Sequence, residues 1–121
     1  MAIDKILIVD DSQTDLLNLK EVVKTAGCQV ISASSGAEAV KKAKAEHPDL
    51  IFMDIVMDEM NGYEACRAIK EDAETVNIPI VFVSSKNQKA DHIWAKRQGG
   101  EALVGKPYTK EQIVEQIHRL G

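Results

Sequence analysis

The chain has 121 residues, of which 45% are hydrophobic and 28% charged, and its formal net charge at pH 7 is -4. This length fits a single domain over residues 1–121, which can bury an apolar core without disulfides or structural metals. The acidic balance argues against a nucleic-acid-binding protein, because such proteins are usually basic.

No segment approaches the roughly 18 consecutive apolar residues of a membrane span, and the charged start lacks the pattern of a signal peptide. Cys28 and Cys66 form neither a CxxC pair nor a Cys/His zinc pattern. We therefore expect a cytoplasmic protein with reduced thiols and no membrane insertion.

Short apolar segments alternate with longer segments of helical periodicity. Runs near residues 6, 51 and 81 are continuously apolar, as in strands covered on both faces of a parallel sheet, whereas weaker runs near 30 and 103 suit sheet edges. This alternation, repeated five times, predicts an α/β fold with helices on both faces of a parallel sheet. The predicted strands are residues 5–9, 29–33, 50–53, 80–83 and 102–104, and the predicted helices are 14–26, 37–46, 62–71, 88–98 and 110–120.

Polar side chains follow four of the predicted strands. Asp10 and Asp11 follow the first strand, Asp54 the third, Ser84 the fourth and Lys106 the fifth. In α/β sheets of this type, ligands bind beyond the carboxyl ends of the strands. We therefore expect these side chains to converge at one edge of the sheet.

Three carboxylates at one edge repel one another unless a cation lies between them. Mg²⁺ suits a site made of one or two carboxylates, water and phosphate oxygens. Lys106 and Ser84 are suited to contacting phosphoryl oxygens, and a carboxylate can act as the nucleophile. Taken singly, each residue has a simpler explanation, since acids often cap helices or lie in loops and Ser or Lys-Pro often marks a turn. Their joint occurrence at four strand ends favours the site.

These residues resemble the receiver domain of bacterial two-component response regulators. The matching segments are IVDDS at 8–12, MDIVM at 53–57, Asn61-Gly62, Val83-Ser84 and Lys106-Pro107, in order along the whole chain. The resemblance implies a flavodoxin-like (βα)5 fold with the strand order 2-1-3-4-5. It also implies a cis bond between Lys106 and Pro107.

The resemblance further implies a role for each site residue. Asp54 would accept a phosphoryl group from a histidine kinase or a phosphotransfer protein. Mg²⁺ would be held by Asp11, by Asp10 through water, by Asp54 and by the backbone carbonyl of Val56. Lys106 would pair with the phosphoryl oxygens, and Ser84 would supply the switch hydroxyl. The protein would then be a signalling switch rather than an enzyme. We expect it to be a monomer or a weak dimer.

A second group of residues, which includes Trp94 and the segment KRQG at 96–99, is similar to small receivers of type IV pilus twitching systems, within the broader chemotaxis-like class. Three departures from the family pattern stand out. Leu103 replaces a frequent aromatic residue, and Asp58 replaces a usual proline. Val56 and Lys86 occupy positions that tune dephosphorylation in the family.

The resemblance places the output surface on the fourth helix, fifth strand and fifth helix. On the fourth helix, Ile93 and Ala95 are expected to face inward. Trp94 is expected either to pack on the helix flank or to anchor a protein partner, since tryptophan often dominates interfaces.

Other functions stay open at this point. A receiver could act as a phosphate sink, or as a degenerate form that only binds a partner, although its acid set is complete. A Mg²⁺-dependent phosphohydrolase with an aspartyl nucleophile usually has two acids two apart in the nucleophile loop, whereas Asp10 and Asp11 are adjacent. A flavin-binding electron carrier needs a phosphate-binding loop after the first strand, where these acids would repel phosphate.

Overall fold

The computed structural model describes residues 2–121. Its elements alternate strictly between strand and helix, as the sequence predicts. In chain order they are β1 (Lys5–Val9), α1 (Gln13–Thr25), β2 (Gln29–Ala33), α2 (Gly36–Glu46), β3 (Leu50–Met53), α3 (Gly62–Glu71), β4 (Ile80–Ser84), α4 (Lys89–Arg97), β5 (Ala102–Gly105) and α5 (Lys110–Leu120).

The five strands form one sheet in the order β2-β1-β3-β4-β5, with every neighbouring pair parallel. This confirms the expected order and places β2 and β5 at the edges, where their weaker apolar patterns are tolerated. The three central strands are buried along their whole length apart from Lys5. Helices must therefore cover both faces of the sheet.

Alternate strand residues point to opposite faces and build two apolar cores. One core joins Leu7, Ile51 and Phe82 to α2, α3 and α4. The other joins Ile8 and Phe52 to α1 and α5. The sheet is thus fixed on both sides, and its carboxyl edge is held by two independent layers of packing.

Side chains at the helix ends set where each helix begins and ends. Ser12 and Ser35 are the N-caps of α1 and α2, and Thr109 forms a capping box with Gln112 at the start of α5. His47 ends α2 in the left-handed conformation (φ 47°).

Within residues 2–121 no helix is both long and apolar enough to cross a membrane.

Candidate functional site

Asp10 and Asp54 hold equivalent places, each one residue beyond a strand. Val9 is paired with Met53 in the parallel register of β1 and β3, so the next residues emerge side by side. The Asp54 amide donates to the Val9 carbonyl at 3.0 Å, and the Asp10 amide donates to the Ala33 carbonyl at 3.2 Å. These backbone bonds extend the sheet by one residue and fix the direction of both carboxylates.

Asp10, Asp11 and Asp54 come together as the sequence predicts. One carboxylate oxygen from each lies within 4.8 Å of the others; Asp10 and Asp54 are buried, whereas Asp11 is exposed. The cap of α1 is Ser12, whose hydroxyl accepts from the Asp15 amide, so neither acid is needed as a helix cap. Three carboxylates at this spacing form a donor set that suits a hard divalent cation such as Mg²⁺.

The loop after Asp54 packs tightly against it. The Ile55 amide donates to Asp54 Oδ1 at 2.7 Å, and the Gly62 amide closes the loop by donating to the Ile55 carbonyl at 2.8 Å. A Cβ atom on Gly62 would lie 2.0 Å from the Asp54 carbonyl oxygen, so only glycine fits there. Asn61 caps α3 through a capping box with Glu64. The residues IVMDEMNG at 55–62 thus form a rigid support for the Asp54 carboxylate.

Lys106 reaches the acid cluster from the opposite side of the cleft. Its ammonium Nζ lies 2.7 Å from Asp10 Oδ2, 2.9 Å from Asp15 Oδ2 and 3.2 Å from Asp54 Oδ2. The peptide bond between Lys106 and Pro107 is cis, as the family resemblance implies. The cluster is therefore partly neutralised by one cation that the chain itself supplies.

Burial and charge act on this cluster in opposite directions. Burial raises the pKa of Asp10 above its ordinary value and outweighs the hydrogen bonds from Lys106 and the Ser12 amide, which lower it. Burial alone would lower the pKa of Lys106, but hydrogen bonds to Asp10 and Asp15 and the nearby charge of Asp54 raise it overall. Lys106 therefore stays protonated at neutral pH, and burial opposes the ionisation of Asp10.

Ser84 is the last residue of β4 rather than the first residue after it, and its side chain is fully buried. Its hydroxyl oxygen accepts a hydrogen bond from the Lys86 amide at 3.2 Å, and its carbonyl accepts from the Lys106 amide at 3.0 Å. The next residue, Ser85, lines the acidic cleft. The hydroxyl of Ser84 is therefore engaged with its own loop in this structure.

Val56 lines the same cleft, with its side chain pointing outward. Lys86, by contrast, is turned away from the acids, because its ammonium pairs with Asp91 Oδ1 on α4 at 2.9 Å. The cleft is lined by Asp10, Asp11, Ser12, Asp15, Asn18, Val22, Asp54, Val56, Ser85, Lys106, Pro107 and Tyr108.

The outer surface of α4 carries two large apolar side chains. Trp94 is 51% exposed and lies under the Arg97 guanidinium, whose Cζ is 5.8 Å from the ring centre. Ala95 is buried as expected, but the inward orientation predicted for Ile93 is wrong, because Ile93 is also 51% exposed. Since α4 has only nine residues, it buries only Asp91 and Ala95 and leaves Ile93 and Trp94 at the surface. Leu103, on β5, is buried.

Residues 6–118 match the family described as the response regulator receiver domain. The chain belongs to this family. It is a receiver of two-component phosphorelay signalling, and its acid cluster lies at the carboxyl edge of the receiver sheet.

Two relatives of this receiver come from Pseudomonas aeruginosa. Protein PilH is 41% identical over 114 residues, which cover 94% of each chain, and protein PilG is 33% identical over 113 residues, which cover 93% of this chain and 84% of the relative. The chain thus spans nearly the whole length of PilH.

Solved receiver structures show the same fold. The chemotaxis protein CheY4 of Vibrio cholerae is 27% identical, with a TM-score of 0.91 over 99% of this chain and 100% of that one. The receiver domain of a sensor histidine kinase from P. aeruginosa PAO1, described with a magnesium ion in its active-site cleft, has the same fold, with 23% identity and a TM-score of 0.90 over 98% of each chain.

Asp15, which contacts Lys106 at 2.9 Å beside the acid cluster, is a residue of the cleft that the sequence analysis did not predict. Asp15 lies in the first turn of α1, where an acidic side chain is ordinary because it favours the helix N-terminus. No local pattern in the sequence therefore pointed to its contact with Lys106, which is 91 residues away.

Proposed function

We propose that this receiver is a phosphorylation-dependent switch in which Asp54 accepts a phosphoryl group from the phosphohistidine of a histidine kinase or a phosphotransfer protein. The observation that supports it best is the placement of Asp54 beside one cation and two further acids. Its Oδ2 lies 3.2 Å from the Lys106 ammonium, and its carboxylate shares a 4.8 Å cluster with Asp10 and Asp11.

The transfer needs only a carboxylate nucleophile and a phosphorylated imidazole. An oxygen of Asp54 forms a bond to phosphorus while the bond between phosphorus and the imidazole nitrogen breaks. The nitrogen keeps the electron pair and takes up a proton, and Asp54 becomes an acyl phosphate. Because the group is attached to the chain's own side chain and later lost to water, we regard the protein as a signalling switch rather than an enzyme with its own substrate.

Lys106 orients and stabilises the transferred group. Its permanent positive charge faces the developing charge on the phosphoryl oxygens, where a preorganised cation contributes most. Ser84 would donate a hydrogen bond to another phosphoryl oxygen. Its hydroxyl oxygen now accepts a bond from the Lys86 amide, so the loop after β4 would have to rearrange for that contact. A rearrangement of this kind at the start of α4 would pass the phosphorylation signal to the surface.

The donor set fits Mg²⁺, as a hard cation needs oxygen ligands. Asp10, Asp11, Asp54 and the backbone carbonyl of Val56 would hold it. When bound, Mg²⁺ neutralises charge on phosphoryl oxygens. Lys106 contacts Asp10 and Asp54 but not the exposed carboxylate of Asp11, which stays available as a ligand.

We propose that output passes through protein contact on α4, β5 and α5. A groove between these elements is lined by Asn87, His92, Leu103 and Gln116, among others, and Trp94 and Ile93 are exposed on the neighbouring surface of α4. The similarity to PilH favours a pathway of the type IV pilus twitching or chemotaxis class. In this account the receiver is cytoplasmic, does not bind nucleic acid and acts as a monomer or weak dimer.

The proposal is tested by incubating the protein with acetyl phosphate and Mg²⁺ and measuring its intact mass. We expect the mass to increase by one phosphoryl group. When EDTA is added before the acetyl phosphate, we expect no increase. The variant Asp54→Asn should gain none, whereas Asp58→Asn, which removes an exposed acid from the same loop, should be labelled like the wild type. Equal labelling of the Asp54→Asn variant would overturn the proposal.

A further inference from the structure

Asp15 contacts the same ammonium group that serves Asp54. It lies in the first turn of α1, and its Oδ2 is 2.9 Å from Lys106 Nζ, a shorter distance than the 3.2 Å between that ammonium and Asp54 Oδ2. Asp15 is not part of the three-acid cluster that could hold a metal ion. Its contact is therefore with the lysine and not with the cation site.

The three carboxylates use all the hydrogen-bonding capacity of Lys106. An ammonium group has three N–H donors, and Asp10, Asp15 and Asp54 each accept one. The side chain of Asp15 is 42% exposed, compared with 5% for Asp10 and 11% for Asp54. When the ammonium moves, water can therefore replace its contact with Asp15 with a smaller loss of free energy than its contact with Asp10 or Asp54.

We propose that Asp15 is a positioning residue that holds Lys106 at the α1 side of the cleft in the unphosphorylated receiver and competes with the phosphoryl group for its ammonium. This inference rests on the proposed phosphorylation of Asp54. A phosphoryl group on Asp54 brings several acceptor oxygens and additional negative charge. To pair with more than one of them, Lys106 must give up a contact that it makes with another carboxylate, and water can most easily replace the contact with the exposed Asp15 side chain.

A contact that forms mainly in the unphosphorylated state stabilises that state. Its free energy therefore disfavours the phosphorylated state by the same amount. Partly exposed ion pairs contribute about 0.2–1 kcal/mol, which corresponds to a factor of up to about five in an equilibrium constant. Asp15→Asn should therefore strengthen the binding of beryllofluoride, a phosphoryl analogue, by up to about fivefold in the presence of Mg²⁺.

The first test uses the protein without metal or phosphoryl analogue. In protein with ¹³C,¹⁵N-labelled lysine, the Cε and Nζ nuclei of Lys106 are assigned by NMR with the variant Lys106→Met. We expect Asp15→Asn to shift this signal and Asp58→Asn to leave it unchanged. An unshifted Lys106 signal in Asp15→Asn would overturn the contact on which the inference depends.

The second test measures beryllofluoride affinity by NMR titration at fixed Mg²⁺ for the wild type, Asp15→Asn, Asp58→Asn and the same two substitutions in a Lys106→Met background. We expect tighter binding only for Asp15→Asn, and no effect of Asp15→Asn once Lys106 is absent. A gain that persists without Lys106, or an equal gain from Asp58→Asn, would show a general charge effect and overturn the inference. A wild type that binds beryllofluoride with no gain from Asp15→Asn contradicts this inference alone, whereas a wild type that never binds it contradicts the proposed function as well.

Discussion

Lys106 Nζ lies 3.2 Å from Asp54 Oδ2, although their strands, β5 and β3, are separated in the sheet by β4. The long lysine side chain crosses the end of β4 and links residues 52 apart in sequence. Asp54 is thereby held between a backbone loop on one side and a cation on the other.

Removing the Lys106 ammonium group should leave the repulsion among the carboxylates uncompensated. We expect Lys106→Met to lower the free energy of unfolding by about 1–3 kcal/mol at pH 7 in EDTA, because the buried carboxylates of Asp10 and Asp54 lose the ammonium group that pairs with them. The same variant should bind Mg²⁺ more tightly, since no ammonium competes for Asp10 and Asp54. Urea denaturation and a Mg²⁺ titration measure the two effects. Lys89→Met, at an exposed position of α4, is the control, and equal effects in both variants would contradict the account.

Removing the buried charge of Asp10 should have the opposite effect on stability. Burial raises the folded-state pKa of Asp10 above its ordinary value of 3.8, so the folded state holds this proton more tightly than the unfolded chain. Ionisation of Asp10 then costs stability as the pH rises from that ordinary value through the raised folded pKa. Asp10→Asn should therefore stabilise the metal-free protein at pH 7, by on the order of 1 kcal/mol.

The pH dependence separates this effect from a change in packing. Below pH 3.8 Asp10 is protonated in both states, and the gain from Asp10→Asn should disappear. Urea midpoints of the wild type and the variant, measured from pH 3 to 7 in EDTA, report it. A variant that is equally stabilised at all pH values, or destabilised at pH 7, would be inconsistent with a burial-raised pKa.

The loop that supports Asp54 should be intolerant of a single added methyl group. In Gly62→Ala the new Cβ would lie 2.0 Å from the Asp54 carbonyl oxygen and 2.9 Å from the Ile55 Cα, both of them backbone atoms. We expect a loss of about 1–3 kcal/mol in stability and a marked loss of phosphorylation, because the Asp54 backbone must move.

Gly27→Ala is the matched control. Gly27 has a φ of 86°, but an added Cβ meets nothing within 4 Å. Backbone strain alone should cost about 1 kcal/mol, and labelling by acetyl phosphate should stay at the wild-type rate. If Gly62→Ala were labelled at the same rate as Gly27→Ala, the loop would not position Asp54 as we describe.

The sequence predicted most of the fold because its strongest signals were local. Three continuous apolar runs marked the central strands, and the predicted helices 37–46 and 110–120 begin within one residue of α2 and α5. The convergence of Asp10, Asp54 and Lys106 followed from one general property of parallel sheets, that their carboxyl ends meet at one edge. Strand order came from family resemblance, since periodicity does not determine which strands are neighbours.

The remaining features depend on tertiary geometry. Ile93 was expected inside, but which residues of a short helix are buried depends on how the helix rotates on the sheet, and nine residues give too weak a periodic signal to fix that. Ser84 was expected beyond β4, but its backbone still pairs with Gly105 of β5, which keeps its side chain buried. The contact between Asp15 and Lys106 spans 91 residues and could not be read from either local pattern.

The two cysteines should differ in reactivity. Burial raises the pKa of the Cys66 thiol to about 11, and this residue is fully buried; burial also raises the pKa of the Cys28 thiol, but Cys28 is only partly buried. Because the thiolate is the reactive form, iodoacetamide at pH 8 should modify Cys28 in the native protein and leave Cys66 intact. Peptide mass spectrometry before and after unfolding in urea measures this. Modification of Cys66 at the rate of Cys28 in the folded protein would contradict the packing of α3 against the sheet.

The central claim is that the Asp54 carboxylate itself carries the phosphoryl group. An acyl phosphate on aspartate is reduced by borohydride to homoserine, which marks the modified position permanently. After treatment with acetyl phosphate and Mg²⁺ and then with borohydride, peptide sequencing by mass spectrometry should find homoserine at position 54 and not at positions 10, 11 or 15. Homoserine at one of the other acids, or at none while the protein carries phosphate, would contradict the account.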